Sequence, residues 1–194
     1  MINRFLIFTM GIIILRALKK DRIIQFIPEK KKAFRPKKKY SLIAMKWQKI
    51  NHIVGRRIYT IQIKNLETNE ILEDKIENVT GSAVWANDNK TIFYSDQDDI
   101  TLRSDKIFKH KLGSNQADDV LVYFEKDETY NVEVAKSKSR KYLAIESGST
   151  LTTEYQILEA DNPDGKFRVF QKRARGLEYS INHYGDSFYI MTNA

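Results

Sequence analysis

No cysteine occurs in the 194 residues. That excludes a disulfide framework, a thiolate nucleophile and any Cys-based zinc site, and it suits a reducing compartment. Histidine is scarce: His52, His110 and His183 stand at neither the i, i+4 nor the H-x₃₋₅-H spacing that brings imidazoles together on a metal. There is no G-x-S-x-G, so the strand-to-helix elbow that presents a nucleophilic serine is missing. The acidic runs at 96–99, 118–119 and 125–128 do not meet the D-x-[DN]-x-[DN]-G pattern of a calcium loop, and acids at strand ends are ordinary turn chemistry. No catalytic, cofactor-binding or metal-ligating residue is assigned, and no cofactor is expected. A histidine in the strand-like "KIFKHKLG" or the turn-like "INHYGD" reads as a surface or packing residue.

Long apolar runs are lacking too. The stretch at 5–15 is 11 residues long, bounded by Arg4 and Arg16, where a spanning helix needs about 20. It has the length of a signal-peptide core, yet Arg16, Lys19, Lys20 and Arg22 follow it in place of a small-x-small cleavage site. Of the 33 basic and 25 acidic residues, 14 and 2 fall within residues 1–50, so that stretch carries +12 and the remainder −4. The basic character is local. Beyond residue 50 there is no basic excess to make a nucleic-acid footprint. "EKKKAFRPKKKY" at 29–40 reads as a solvated run able to touch phosphate or anionic lipid, and "QKRARG" at 171–176 as a solvated loop.

From residue 56 onward β signals take over. "RRIYTIQIKNLETNE" alternates apolar and polar residues into a turn, and "DDVLVYFEKDE", "FRVFQKRARG" and "DSFYIMTN" are similar. "NPDG" at 162–165 is a turn whose proline presets φ and whose glycine is expected to take up positive φ. "WANDNKTIFY", "VAKSKSRKYLAIE" and "INHYGDSFYIMTN" share one design: an apolar end, a polar turn, then an apolar strand. Ile92, Leu143 and Phe188 come into register at separations of 51 and 45. "IYTIQIKNLETNE", "DKIFKHKLGSNQ" and "EYQILEADNPDG" recur likewise, and Ile71, Val120 and Val169 mark the next slot at 49-residue spacing. Four short strands in a period of about 40 to 50 residues point to a β-propeller, with a β-sandwich of similar strand count as the alternative. The expected core is Val84, Trp85, Ile92, Phe93, Leu121, Val122, Leu143, Ile145, Ile157, Val169, Phe188 and Ile190.

"GRRIYTIQIKNLETNE", "IENVTGSAVWANDNKTIFY", "KIFKHKLG", "DVLVYFEKDETYNVEVAKSKSRKYL", "STLTTEY" and "DNPDGKFRVFQKRARGLEYSINHYGDSFYIMTN" together resemble the propeller domain of the prolyl oligopeptidase family of serine peptidases, and within it the oligopeptidase B (protease II) subfamily, across residues 54–193. The resemblance implies a cytoplasmic peptidase in which a propeller caps a C-terminal α/β-hydrolase domain of the same chain and admits short basic peptides to a Ser-Asp-His site that cuts after Arg or Lys.

The departures from that pattern set the expectations for this chain. It holds strands for about three four-stranded antiparallel blades, an all-β partial propeller at 54–194, preceded by an unrelated basic leader at 1–50 that is disordered or a short helix. It contains no hydrolase domain, and is expected to be inactive alone. The composition boundary, the onset of resemblance in mid-blade and the ending at "MTNA" suggest a truncated or frameshifted reading frame, which the flanking DNA would decide. The alternative function is an independent propeller-like interaction module tethered to a membrane through residues 1–40, by one short apolar stretch plus a polybasic patch.

Overall fold

The computed structural model describes residues 58–194, together with three short backbone strands before them. Those strands are β1 (Arg4–Thr9), β2 (Ile12–Ile14) and β3 (Tyr40–Trp47), so the leader contributes strand at these positions where a short helix or no order was expected. The polybasic run at 29–39 and His52 lie outside the described residues. Eleven further strands follow: β4 (Tyr59–Asn65), β5 (Ile71–Trp85), β6 (Thr91–Gln97), β7 (Ser104–Lys111), β8 (Val120–Phe124), β9 (Asn131–Lys136), β10 (Tyr142–Gly148), β11 (Thr153–Glu159), β12 (Arg168–Gln171), β13 (Tyr179–Tyr184) and β14 (Ser187–Thr192). Among the described residues the only helix is a single 3-10 turn at Gln116–Asp118.

The strands pair as antiparallel meanders, and the pairing resolves into blades. β9 to β12 form one four-stranded sheet. β3 to β8 are hydrogen-bonded into one six-stranded sheet, in which β5 serves two blades. Its first half pairs with β4 from Lys64↔Ile71 to Tyr59↔Val79, and its second half pairs with β6 from Val79↔Asp96 to Trp85↔Ile92, with a register shift between Val79 and Ala83 where the strand passes from one to the other. The second half of β5 with β6, β7 and β8 makes the next four-stranded unit. β4 with the first half of β5 is the outer half of a blade before it, and β13 with β14 the inner half of a blade after it. Two whole blades flanked by two half-blades amount to the three expected. β1 pairs along β14 and β3 along β4.

The repeat holds residue by residue. Ile92, Leu143 and Phe188 are each the second residue of β6, β10 and β14. Each blade buries its faces only against its neighbours, giving three successive cores. Ile61, Ile63, Ile76 and Val79 of the first half-blade meet Trp85, Ile92 and Tyr94 of the first whole blade. Phe93 and Ile107 on its other side meet Val132, Val134, Leu143 and Ile145. Tyr155 meets Tyr179 and Ile190. Alternation along β6 thus sends Ile92 and Tyr94 to one interface and Phe93 to the next, which is why a central strand is buried on both sides.

Seven of the twelve expected core residues are buried, and Val84, Val122 and Phe188 are half-buried. Leu121 and Val169 are corrections, being 47% and 46% exposed. Both lie on the outermost strand of a blade, β8 and β12, which has a neighbour on one edge only. Ile71 and Val120, the repeat partners of Val169, are exposed for the same reason. Gly165 in the "NPDG" turn is a second correction: its backbone is not at positive φ. Glycine fits there because a Cβ would come within 2.9 Å of Leu158 Cδ1 and 3.2 Å of the Asn162 carbonyl oxygen.

Candidate functional site

The polar side chains weighed in the sequence separate into three clusters, each between blades or within one. His110, on β7, is buried with Nδ1 2.7 Å from Asp119 Oδ1 and Nε2 3.2 Å from Asp74 Oδ1. Tyr94 donates its hydroxyl to the other oxygen of Asp119 at 2.8 Å, and burial followed by that carboxylate raises the phenol far above its ordinary range. Asp74 also accepts from the Gly113 amide. The imidazole thus joins the outer strand of the first half-blade to the turn between β7 and β8. Both its nitrogens are engaged by carboxylates inside the fold.

His183, on β13, is buried between the rings of Tyr142 and Phe188, at centroid distances of 4.8 and 4.7 Å. Its Nδ1 lies 2.7 Å from Ser139 Oγ, the spacing of a serine nucleophile and its base. The surroundings give the pair another role. The Ser139 amide also donates to the His183 carbonyl at 3.1 Å, so both contacts fasten the β9–β10 turn to the first strand of the next blade. Burial and then Lys141 lower the imidazole's pKa, favouring the neutral ring. His110 and His183 belong to different interfaces and are not brought together.

The third cluster is the one the sequence misjudged. "QKRARG" reads as solvated, yet Arg173 is drawn inward: its guanidinium donates to Glu125 Oε2 at 2.6 Å and to Glu154 Oε1 at 3.3 Å, and stacks 4.1 Å from the Tyr130 ring centroid. Glu125 further accepts from Ser147 Oγ at 2.6 Å, Tyr123 Oη at 2.8 Å and the Asp127 amide at 3.0 Å. Burial works to raise its pKa, but Arg173 and these donors outweigh it and bring it down to about 2. The same neighbourhood, burial first and Glu125 next, pushes Tyr123 up to about 12. Glu125 directly follows β8 and Arg173 lies just beyond β12, in successive blades, and nothing in the residues themselves signalled that the two would pair. Asp98 and Asp127 behave as turn residues: Asp98 accepts from the amides of Ile100 and Thr101, Asp127 from that of Thr129. Among the described residues no three His, Asp or Glu are placed to hold a metal ion.

The clusters share one function, fastening blade to blade, and smaller contacts repeat it. Ser104, first residue of β7, donates to the Val132 carbonyl of the next blade at 2.6 Å. Thr153, first residue of β11, donates to the Tyr179 carbonyl of the blade after that at 2.9 Å. Ser82 Oγ donates to the Val134 carbonyl and accepts from its amide, at 2.9 and 2.7 Å. Asn87 reaches Arg140 and Asp161 across the same boundary. What this arrangement does chemically is join successive blades through polar contacts.

Comparison with known proteins bears on what such an arc belongs to. Residues 48–194 match the family model described as prolyl oligopeptidase, N-terminal beta-propeller domain. Dipeptidyl aminopeptidase BI of Pseudoxanthomonas mexicana is 40% identical over 140 residues, which are 72% of this chain and 19% of that protein. Protease 2 of Moraxella lacunata is 35% identical over 141 residues, 72% of this chain and 20% of the relative. Among solved structures, oligopeptidase B from Leishmania major superimposes with a TM-score of 0.66 at 29% identity, over 72% of this chain and 20% of that one. The chain therefore spans about a fifth of the length of these relatives.

Proposed function

The chain belongs to the prolyl oligopeptidase family through its N-terminal β-propeller domain, and from that premise we propose that it is a piece of the substrate-gating cap of an oligopeptidase B-like serine endopeptidase that cleaves short peptides after Arg or Lys. In that role its partner is a C-terminal α/β-hydrolase domain, and the chemistry belongs to that domain. The observation that carries the proposal is the match over residues 48–194, whose strands follow blade order without interruption from β4 to β14. Two of the most similar relatives bear different activities in their names, an aminopeptidase and a protease. This fits a domain that admits substrate and leaves the cleavage itself to another part of the molecule.

Acyl transfer needs a nucleophile, a base and an oxyanion site within hydrogen-bond reach. The nearest approach in the described residues, Ser139 with His183, is committed to packing. The purified chain is therefore expected not to hydrolyse Arg-x or Lys-x amides; turnover that survives repurification and is blocked by a serine-directed inhibitor would contradict this. Gating is tested by grafting residues 54–194 in place of the corresponding blades of Moraxella lacunata Protease 2. The chimera should cleave a short dibasic peptide while sparing a folded protein, and loss of that size discrimination in a correctly folded chimera would overturn the gating role.

A further inference from the structure

Residues 172–178 carry the chain from the outermost strand β12 of one blade to the first strand β13 of the next, and most of them are exposed. Two arginines in this loop have opposite surroundings. Arg173 is tied inward: its amide donates to Glu154 Oε2 at 3.1 Å, and its guanidinium is held by Glu125 and Glu154 over the Tyr130 ring. Arg175 is exposed, and among the described residues no hydrogen bond or ion pair holds its side chain, amide or carbonyl. Gly176 follows it at φ +83, and a Cβ there would meet nothing within 4 Å, so the turn has room to open. Exposed basic residues in other connections sit on firmer backbone. Lys126 lies where Arg103 grips the carbonyls of Glu125, Asp127 and Tyr130 at 3.3, 3.0 and 2.9 Å. The amide of Arg140 donates to the Ser137 carbonyl, and its carbonyl accepts from Asn87.

We propose that this loop is a site of limited proteolysis by endopeptidases whose specificity pocket carries a carboxylate, with Arg175–Gly176 as the scissile bond and Arg173 withheld by its ion pairs. Hydrolysis adds water across the Arg175 carbonyl carbon and the Gly176 nitrogen, leaving a carboxylate on Arg175 and an α-amine on Gly176. Such an enzyme must seat a whole arginine side chain in its pocket and draw the backbone beside it out of the fold, which exposed loop tips allow most readily. Cleavage then follows the population of the opened loop. Arg175 offers its side chain as the chain folds. Arg173 offers its own only when the contacts with Glu125 and Glu154 are given up, so the ion pairs between blades decide which arginine is presented. Glu125 and Arg173 both lie upstream of the nick, and the junction they form between blades outlasts it. The inference rests on the loop and not on the peptidase reading of the chain.

The experiment treats the full chain with trypsin under native conditions and identifies the fragments by mass spectrometry. Within residues 58–194 the bond after Arg175 is expected to be cut first, at least about tenfold faster than the bonds after Lys126, Arg140 and Arg173. Arg175→Gln should remove that cut and leave the unfolding midpoint in place. In Glu125→Ala the bond after Arg173 should be cut at least about tenfold faster than in the native chain, while the bond after Arg140 keeps its rate. Glu154→Gln, a milder change to the same ion pairs, should shift the cut in the same direction and serves where Glu125→Ala does not fold. A first cut at any other bond within residues 58–194 would overturn the proposal. So would a bond after Arg173 that stays as resistant in a folded Glu125→Ala or Glu154→Gln chain as in the native one.

Discussion

Position across a blade decides what a residue contributes. Leu143 is fully buried between two blades, and Leu143→Ala should cost about 2–5 kcal/mol. Leu121→Ala and Val169→Ala, on outer strands, should stay within about 0.5 kcal/mol. Urea unfolding midpoints measure all three, and a large loss at Leu121 would contradict the exposed placement. Glu125 is the titrating residue with the clearest consequence. Its folded-state pKa is about 2 against an ordinary value of 4.5, so its contribution is complete above about 4.5 and is lost as pH falls from there through about 2. The native chain should therefore lose more stability than Glu125→Gln between about pH 6 and pH 3. In a double-mutant cycle, Glu125→Ala and Arg173→Ala should couple by about 1–3 kcal/mol.

At the scale of the element, a blade is held to the next by a few contacts at fixed places. Ser104 and Thr153 begin the third strands of successive blades, 49 residues apart, and each donates to a carbonyl on the first strand of the following blade. Thr153 also accepts from the Tyr179 amide at 2.8 Å. Ser104→Ala and Thr153→Val should each cost about 1 kcal/mol or somewhat more, because a carbonyl between blades loses its donor. Thr153→Ser should restore most of it. Thermal unfolding reads both, and equal stability of the Val and Ser variants would remove the hydroxyl from the account. The outer strands β8 and β12 differ from the inner ones in having a free edge, and each also has a register shift against its partner, between Ile107 and Phe108 opposite β8 and between Tyr155 and Gln156 opposite β12. Irregular edges of this kind limit pairing with stray strands.

At the scale of the whole molecule, the described blades leave one face of β13–β14 uncovered. A closed ring would leave no blade face uncovered, whereas Tyr184, Tyr189 and Met191 here stand exposed on the final half-blade. The full chain is expected to associate as its concentration rises, through patches without a fixed partner. Size-exclusion chromatography with light scattering checks this. A monodisperse monomer that unfolds cooperatively would mean that the arc satisfies its own end faces.

Alternation, turn placement and a repeat near 49 residues were enough to establish the strand order, the blade period and the equivalence of Ile92, Leu143 and Phe188, because local periodicity is written in the order of side chains. The same order could not tell an inner strand from an outer one. "DDVLVYFEKD" and "RKYLAIE" look alike as apolar strands, yet β8 ends a sheet while β10 lies inside one, and only the neighbours on each edge and face decide burial. Nor could it place Arg173: a basic loop reads as solvated until the fold brings Glu125 and Glu154 beside it from 48 and 19 residues away. Long-range pairing of charges depends on how blades stack, and stacking is a property of the tertiary structure alone.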